Sequence, residues 1–288
     1  AKVRNQGIET TIGYNFRLAK DVNWRTSYNV SYNSNKILKT AYNDQGKELI
    51  QQQVVGGTYI RYKEGGSIGD MYIHDFDRDA NGNIALTRSG APRFKSSGQD
   101  ADLIYVGNMN SKWQMGWSNN FNYKDFTLSF LINGRIGGKV ISLTEAYLDQ
   151  YGLSQRVADA RLNAERNNIV ATDYKNAPGM QLNDGSGRIV PVEAYYKAMG
   201  ASTNPYNYIY NATNFRLREL SLGYTFRNLL GQNKNLNVAF IARNLFFLYN
   251  DSPVDPDVSL STANGLGAFE LFNMPSSRSF GLSLKLNF

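Results

Sequence analysis

Strict alternation of apolar and polar residues is the dominant pattern along the chain, and it predicts β-strands rather than helices. The clearest case is the C-terminal stretch, where Phe280, Leu282, Leu284, Leu286 and Phe288 alternate with polar residues or glycine. A period of two places these apolar side chains on one face of a strand. The sequence therefore predicts strands with one apolar face and one polar face.

The same alternation recurs along the chain and predicts about nine antiparallel strands. Within one of them the pattern slips by one residue at Arg218 and Glu219, which predicts a β-bulge. The predicted strands are 8–18, 22–32, 54–62, 68–74, 113–123, 126–132, 215–226, 236–242 and 280–288.

The connections between these strands alternate between short and long. Short turns lie at Lys20, Lys63, Lys124 and Arg227, whereas the long connections are 33–53, 75–112, 138–214 and 245–277. Short turns at one end and long loops at the other are typical of an outer-membrane β-barrel, whose strands are apolar outside and polar toward the lumen. A soluble β-sandwich is the alternative, in which the apolar face would pack against a second sheet.

Two further features favour the membrane barrel over the sandwich. The polar face is rich in Gly, Ser, Thr and Asn, which suits a hydrated lumen. Aromatic residues also fall near strand ends, as interfacial girdles require, for example at Tyr14, Phe16, Tyr123, Phe126 and Tyr224. We therefore expect an all-β chain that forms a segment of a large transmembrane barrel with long extracellular loops.

Composition narrows the classes of function. The 288 residues include no Cys and one His, which excludes a disulfide framework and a thiolate zinc site. The longest apolar runs are about five residues, against the roughly 18 that a spanning helix needs. The net charge of +7 is spread singly along the chain, so we expect no nucleic-acid partner.

Several segments resemble, in order, those of the SusC/RagA-type TonB-linked outer-membrane transporters of Bacteroidota. Together they span nearly the whole chain, and the last three, with the closing strand that ends in Phe288, are the most specific. The segments are VRNQGIE at 3–9, GD at 69–70 with DFDRDANGNI at 75–84, DLIYVGN at 102–108, YKDFTLS at 123–129 with NG at 133–134, FRLRELSLGY at 215–224, ARNLF at 242–246 and DPD at 255–257.

The resemblance implies that residues 1–288 are the C-terminal portion of the barrel of a TonB-dependent receptor, with the plug and N-terminal domains absent from this chain. It implies import of oligosaccharides or oligopeptides through the outer membrane, under a SusD-like surface lipoprotein seated on the long loops. The TonB complex would act through the absent part, and the remaining barrel segment would pair with the open sheet edges, which are too costly to leave unpaired in lipid. Lipid or lipopolysaccharide would surround the apolar face. A structural or adhesive outer-membrane barrel without transport is the alternative.

An acidic motif gives the sharpest local prediction. Asp77, Asp79 and Asn81, followed by a glycine, match a loop in which oxygen ligands surround Ca²⁺ or Mg²⁺, with Asp75 nearby. The twelfth position is Arg88, so the bidentate Glu of such loops is lacking. Asp75, Asp77, Asp79 and Asn81 are thus candidate metal ligands, and a solvated turn is the alternative. No other cofactor is expected.

The connection 138–214 is too long for a plain connector. It is predicted to contain a helix over 154–166, capped by Ser154. A following cluster of tyrosines suits contact with a ligand or with the lid, or plain loop packing; its members are Tyr195, Tyr196, Tyr206 and Tyr208.

No catalytic residue is predicted. His74 is the one His and stands at a strand end, where a polar surface role is expected, and the spacing of the acids selects no catalytic pair. The chain is therefore not expected to be an enzyme. The terminal aromatic Phe288 is the candidate signal for assembly into the outer membrane.

Overall fold

The fold is known from a computed structural model, which describes residues 2–95, 102–172, 177–182, 187–201, 204–229, 231–232, 234–261 and 265–287, without the side chains of residues 51 and 53. In chain order the strands are β1 (Lys2–Ala19), β2 (Val22–Lys39), β3 (Ala41–Tyr42), β4 (Glu48–Leu49), β5 (Gln51–Val55), β6 (Thr58–Tyr62), β7 (Asp70–His74), β8 (Leu103–Asn108), β9 (Trp113–Tyr123), β10 (Phe126–Ile136), β11 (Lys139–Ser142), β12 (Gly179–Gln181), β13 (Ile189–Pro191), β14 (Ile209–Asn211), β15 (Asn214–Phe226), β16 (Asn235–Asn250), β17 (Phe269–Glu270) and β18 (Ser279–Asn287). The helices are α1 (Leu143–Gln150), α2 (Gln155–Arg166) and α3 (Val192–Gly200), with a 3₁₀ turn at Tyr206–Tyr208.

A large antiparallel sheet dominates the described part of the chain. Its seven strands lie in the order β1-β2-β9-β10-β15-β16-β18, so each strand pairs with the next one of this sheet along the chain. Short turns at 20–21, 124–125 and 227–234 lie at one end, and the connections 40–112, 137–213 and 251–278 lie at the other. The predicted meander with sorted loop lengths is confirmed, and the sheet remains open, with β1 and β18 as its edges.

The register of this sheet aligns apolar residues into continuous cross-strand rows. One row takes one apolar residue from every strand, and its members are Phe16, Trp24, Phe121, Leu128, Leu222, Phe240 and Leu282. The neighbouring row on the opposite face begins with Asn15, Arg25, Asn120, Ser129 and Ser221. The sheet therefore has an exposed apolar face and a polar face, which is the arrangement of a barrel wall.

Two predicted strands belong elsewhere. Residues 54–62 and 68–74 contribute β5, β6 and β7, which form a separate four-stranded sheet with β8. Ile60, Met71 and Ile73 of this sheet are fully buried, whereas the apolar face of the wall is exposed. The large sheet thus has seven of the about nine predicted strands, because a period of two identifies a strand but not its sheet.

Two local predictions are confirmed. The bulge shifts the register of β15 against both neighbours, between Leu131 and Ile132 on one side and between Leu217 and Glu219 on the other. Helix α2 starts where the capping residue predicts, because the side chain of Ser154 accepts the N–H of Val157.

The helices form a module in the connection 137–213. Val157, Ala164 and Val192 make its small core, and Gly200 at the end of α3 lies against α1. Among the described residues, no helix is long and apolar enough to cross a membrane.

Candidate functional site

Three of the most specific sequence segments meet at one cluster of charges on the polar face of the large sheet. Arg216 and Arg218 come from β15, Asn244 comes from β16, and Asp255 and Asp257 come from the connection that follows β16. Arg218 and Asp257, which are hydrogen-bonded to each other, are 39 residues apart along the chain. The fold thus explains why the segments occur together: their side chains bind one another.

Arg216 is the centre of this cluster. Its side chain is 2% exposed, and its Nη2 lies 2.6 Å from Oδ2 of Asp255. Its Nη1 donates to the hydroxyl of Ser276 at 2.9 Å, and its Cζ lies 3.9 Å from the ring centroid of Phe247. A buried guanidinium is tolerated here because it is paired with a carboxylate, donates to a hydroxyl and lies over an aromatic ring.

Asp257 binds two further arginines. Nη2 of Arg218 donates to Oδ2 of Asp257 at 2.9 Å, and Nε of Arg135 on β10 lies 3.6 Å from Oδ1 of the same carboxylate. Arg135 also contacts the carbonyl of Pro256. The two aspartates therefore hold the connection after β16 against β10 and β15.

The ionisation of Asp255 gives this cluster a pH dependence. Burial opposes the charged form, but hydrogen bonds from Arg216 and Ser276 outweigh burial and hold the pKa of Asp255 below its ordinary value. A carboxyl group with a depressed folded pKa stabilises the fold above the unfolded pKa, about 3.9, and this contribution is lost as pH falls through the folded value.

We expect Asp255→Asn to lower the thermal stability of the receptor at pH 7 and to lower it less as the pH drops below about 4. Melting temperatures of both proteins across this range measure the difference. A difference that stays constant down to pH 3 would contradict the assigned ion pair.

A polar cleft lies beside the charged cluster. One part, of about 440 Å³, is lined by Asn29, Gln114, Asn133, Arg218 and Asp257 among others. It shares Ser31 and Gln114 with a second part of about 390 Å³, whose lining includes Asn5, Asn33, Asn110 and Lys112. The two parts form one groove along the polar face, which we call the polar cleft.

The polar cleft offers unused hydrogen-bonding groups. The side-chain amides of Asn5, Asn33, Gln114 and Asn133 make no hydrogen bond to another residue of the described ranges. Each amide carries two donors and one acceptor oxygen. Such groups can bind the hydroxyls of a sugar or the N–H and C=O groups of a peptide.

Tyr208 and Tyr206, two of the predicted contact tyrosines, differ in accessibility. Tyr208 is 2% exposed, and its hydroxyl donates to Oδ2 of the buried Asp149 at 2.9 Å. Tyr208 is therefore placed for loop packing, the alternative that the sequence left open for these tyrosines. Tyr206 is 46% exposed and lies edge-on to Phe76 at 4.7 Å between ring centroids.

Tyr195 and Tyr196 lie on α3, edge to face at 5.2 Å between ring centroids. Burial raises the pKa of both hydroxyls. Tyr195 also lines a cleft of about 520 Å³ together with Arg78, Ile84 and Leu182. Tyr195 and Tyr206 thus both lie next to the segment that holds the acidic motif, and their contact with a ligand or lid remains a prediction.

Tyr208 lies beside a buried ion pair in the helical module, whose Asp149 accepts its hydroxyl. Nε of Arg156 lies 2.8 Å from Oδ1 of Asp149, which also accepts the hydroxyl of Ser154 at 2.6 Å. Burial alone would lower the pKa of Arg156, but the hydrogen bond and charge of Asp149 raise it. The ion pair fixes α1 to α2, and Tyr208 completes it.

The acidic motif forms the tip and flanks of an irregular hairpin. Lys95 donates to Oδ2 of Asp75 at 2.7 Å, and Nη2 of Arg93 lies 2.7 Å from Oδ2 of Asp77. The hydrogen bond from Lys95 outweighs burial and lowers the pKa of Asp75. Two of the predicted metal ligands are therefore neutralised by neighbouring cations.

The tip of this hairpin is held by backbone hydrogen bonds. Oδ1 of Asp79 accepts the N–H groups of Asn81 and Asn83, each at 2.9 Å. The bond from Asn83 is the main cause that lowers the pKa of Asp79. In the described ranges no three His, Cys, Asp or Glu side chains converge as a metal site would require, and a metal at this motif remains a prediction.

Two other residues were singled out in the sequence, His74 and Phe288. His74 ends β7, is half-buried and lies with Nε2 2.7 Å from the hydroxyl of Tyr59. Phe288, the predicted assembly signal, lies outside the described residues.

Exposed apolar side chains of the helical module and of the connection 251–278 form a patch that escaped the sequence analysis. It consists of Tyr147, Tyr151, Leu153, Phe272 and Met274, which are 42%, 67%, 72%, 63% and 88% exposed. The rings of Tyr147 and Phe272 lie 5.9 Å apart between centroids, so the patch joins two distant segments. The spacing of four residues between Tyr147 and Tyr151 was the available signal, but only the helix α1 gives it meaning.

Comparison with known proteins finds TonB-dependent receptors whose sequences are similar to this chain. No family model matches the chain. The chain is 26% identical over 308 residues to TonB-dependent receptor P39 of Formosa agariphila, which covers 89% of this chain and 28% of the relative. It is 23% identical over 299 residues to TonB-dependent receptor SusC of Bacteroides thetaiotaomicron, with 99% of this chain and 26% of the relative covered.

Solved structures share the fold. The RagAB peptide importer in its open-open state matches with a TM-score of 0.65 and 18% identity over 99% of this chain and 29% of that chain. Its closed-closed state matches with a TM-score of 0.64 and 17% identity, over 99% and 30% respectively.

The chain spans less than a third of the length of each of these proteins. Within that length the likeness runs through nearly all of this chain, in sequence and in fold. The predicted resemblance is thus confirmed: the chain is similar in sequence to TonB-dependent receptors, SusC among them, and shares its fold with a portion of the RagAB importer.

Proposed function

We propose that the chain forms part of the wall, lumen lining and extracellular loops of an outer-membrane transporter that imports oligosaccharides or oligopeptides. The polar cleft carries this proposal, because it places unused amides along the face that lines the lumen of a barrel. The likeness to TonB-dependent receptors supports import energised by the TonB complex, which would act through parts of the receptor outside this chain.

The dimensions of the apolar face support the proposed placement in the outer membrane. One aromatic belt lies near the short turns, where Trp24 stacks on Phe16 and Phe121. A second lies toward the loops, where Tyr32 and Trp113 are paired at 4.6 Å. Tyr32 follows Trp24 by eight residues, which is about 26 Å along a strand and about 20 Å along the membrane normal at the usual strand tilt, close to the height of the apolar band of such barrels.

The open edges of the wall support the rest of the proposal. β1 and β18 present unpaired backbone groups, which lipid cannot satisfy. In the membrane both edges would pair with the remaining barrel segment, and lipid or lipopolysaccharide would cover the apolar face.

The cargo class rests on the chemistry of the polar cleft. Its amides suit both sugar hydroxyls and peptide groups. The RagAB structures are those of a peptide importer, which supports the inclusion of oligopeptides. The proposed role is binding and passage, without catalysis.

We expect Asn133→Leu to raise the KM for import by about tenfold, since it removes one or two hydrogen bonds inside the cleft. Uptake of labelled oligosaccharide and oligopeptide pools into cells that carry the full receptor measures the effect. Asn15→Leu, on the same face outside the cleft, is the matched control and should import normally. Equal import by both variants would contradict a role of the cleft in binding.

We further propose that the exposed apolar patch is the seat of a SusD-like surface lipoprotein. A patch that combines Tyr151, Leu153, Phe272 and Met274 at high exposure is typical of a protein interface. It lies on the connections that reach beyond the loop end of the wall, where a lid would sit.

We expect Tyr151→Asp and Phe272→Asp, combined, to reduce recovery of the lipoprotein with the purified receptor by about tenfold or more. The patch is exposed, so the receptor itself should fold. The matched control is Leu162→Asp, which changes an exposed apolar residue of α2 outside the patch. Undiminished recovery with the patch variant would contradict this seat.

A further inference from the structure

The apolar face of the wall carries a groove of about 300 Å³ near its loop end. It is lined by Tyr28, Met115, Trp117, Ile132, Gly134 and Phe215, which come from four adjacent strands. The groove depends on Gly134, where a Cβ would lie 2.4 Å from Cδ1 of Phe215. The ring of Phe215 therefore lies over the glycine, and the groove forms beside it.

The chemistry of this groove is that of hydrocarbon. No charged residue lines it, and its polar atoms are already bonded. The hydroxyl of Tyr28 donates to Sδ of Met115 at 3.4 Å, and Nε1 of Trp117 donates to Oγ1 of Thr26 at 2.9 Å. Only apolar and aromatic surface remains to contact a ligand.

Two exposed cations lie on the same face, farther toward the loop end than the groove. Arg4 of β1 and Lys36 of β2 are direct cross-strand partners. They lie on the same face of the sheet as Tyr32 and Tyr28. Like charges placed opposite each other are destabilising unless something else binds them. Both side chains are exposed, and neither has a carboxylate in ion-pair distance among the described residues.

The cations, the aromatic pair and the groove follow one another along the strands. From Lys36 the chain passes Tyr32, which pairs with Trp113, and then reaches Tyr28 at the groove. This column of residues, from Arg4 and Lys36 to the groove, is thus positively charged at the loop end, aromatic in the middle and apolar at the groove. This order matches a lipid with a phosphorylated headgroup and an acyl chain.

We propose that this column binds the phosphorylated glycolipid of the leaflet on the loop side, the lipid A part of lipopolysaccharide. Arg4 and Lys36 bind its phosphate, and one acyl chain lies in the groove beside Gly134. The site rests on the proposed placement in the outer membrane, with the long loops outside.

The test uses the full receptor purified in mild detergent from outer membranes that contain lipopolysaccharide. Native mass spectrometry, with analysis of hydroxylated fatty acids, measures the glycolipid that each receptor retains. We expect the unchanged receptor to retain it, and we expect Arg4→Gln with Lys36→Gln to retain on the order of tenfold less. Ile132→Phe, which fills the groove, should also lose it.

Matched controls separate the site from general effects. Lys20→Gln with Lys124→Gln removes two charges at the turn end, and Leu284→Phe enlarges an apolar residue outside the groove; both should keep the glycolipid. Equal retention in all variants, or retention of glycerophospholipid alone, would overturn the site. A receptor that reaches the outer membrane but retains no glycolipid overturns this site only, whereas a receptor absent from that membrane overturns the placement.

Discussion

Replacing Asp255 with alanine should release the connection 251–278 from the wall and abolish import. The change leaves the guanidinium of Arg216, which is 2% exposed, without its main counter-charge. Removing one partner of a buried ion pair costs about 3 kcal/mol or more. We expect this loss in the free energy of unfolding, together with rapid proteolysis of the freed connection.

The matched control for Asp255 is an ion pair between β15 and β16. Glu219 and Arg243 form an ion pair at 2.9 Å, but their side chains are 39% and 59% exposed. Exposed pairs contribute at most about 1 kcal/mol. Glu219→Ala should therefore leave stability and import nearly unchanged, and a similar loss in both variants would contradict the central role of Arg216.

Replacing Gly200 with alanine should separate α3 from α1 and disturb the proposed seat of the lipoprotein. A Cβ at this position would lie 2.2 Å from the carbonyl oxygen of Ala146 and 2.6 Å from the backbone nitrogen of Gln150. Backbone atoms cannot rotate away, so the helices must move apart. We expect a loss of about 2 kcal/mol in the stability of the helical module.

Hydrogen exchange of α1 and α3 in the full receptor measures this effect, and recovery of the lipoprotein reports on the patch. Gly267→Ala is the control, because a Cβ there meets no atom within 4 Å. Unchanged exchange in the Gly200 variant would contradict the close contact between the helices.

The sequence predicted the wall well because one physical rule governs it. Lipid on one side and water on the other require a period of two, and that pattern identified the strands around Trp24, Phe121, Leu222 and Leu282. It underestimated their length, since β2 continues through the polar run Asn33–Lys36 to Lys39, beyond the band where lipid demands apolar residues.

Contacts between distant segments could not be predicted in the same way. The segments that hold Arg216, Asn244 and Asp255 were recognised singly, but nothing in their spacing shows that their side chains meet. Similarly, the sequence alone allows Tyr208 to be a surface residue. Only the fold shows that its hydroxyl binds the buried Asp149. The exposed patch and the polar cleft depend on such contacts, so they emerged only with the structure.

The central claim is that one face of the large sheet meets lipid and the other lines a water-filled lumen. The chain contains no Cys, so single cysteines can be introduced along β10 in a receptor whose remaining part is also free of cysteine. A water-soluble maleimide is then applied to outer membranes. We expect labelling at Ser129 and Asn133 and protection at Leu128, Phe130 and Ile132. Equal labelling on both faces, or a receptor that salt alone extracts from the membrane, would contradict the account.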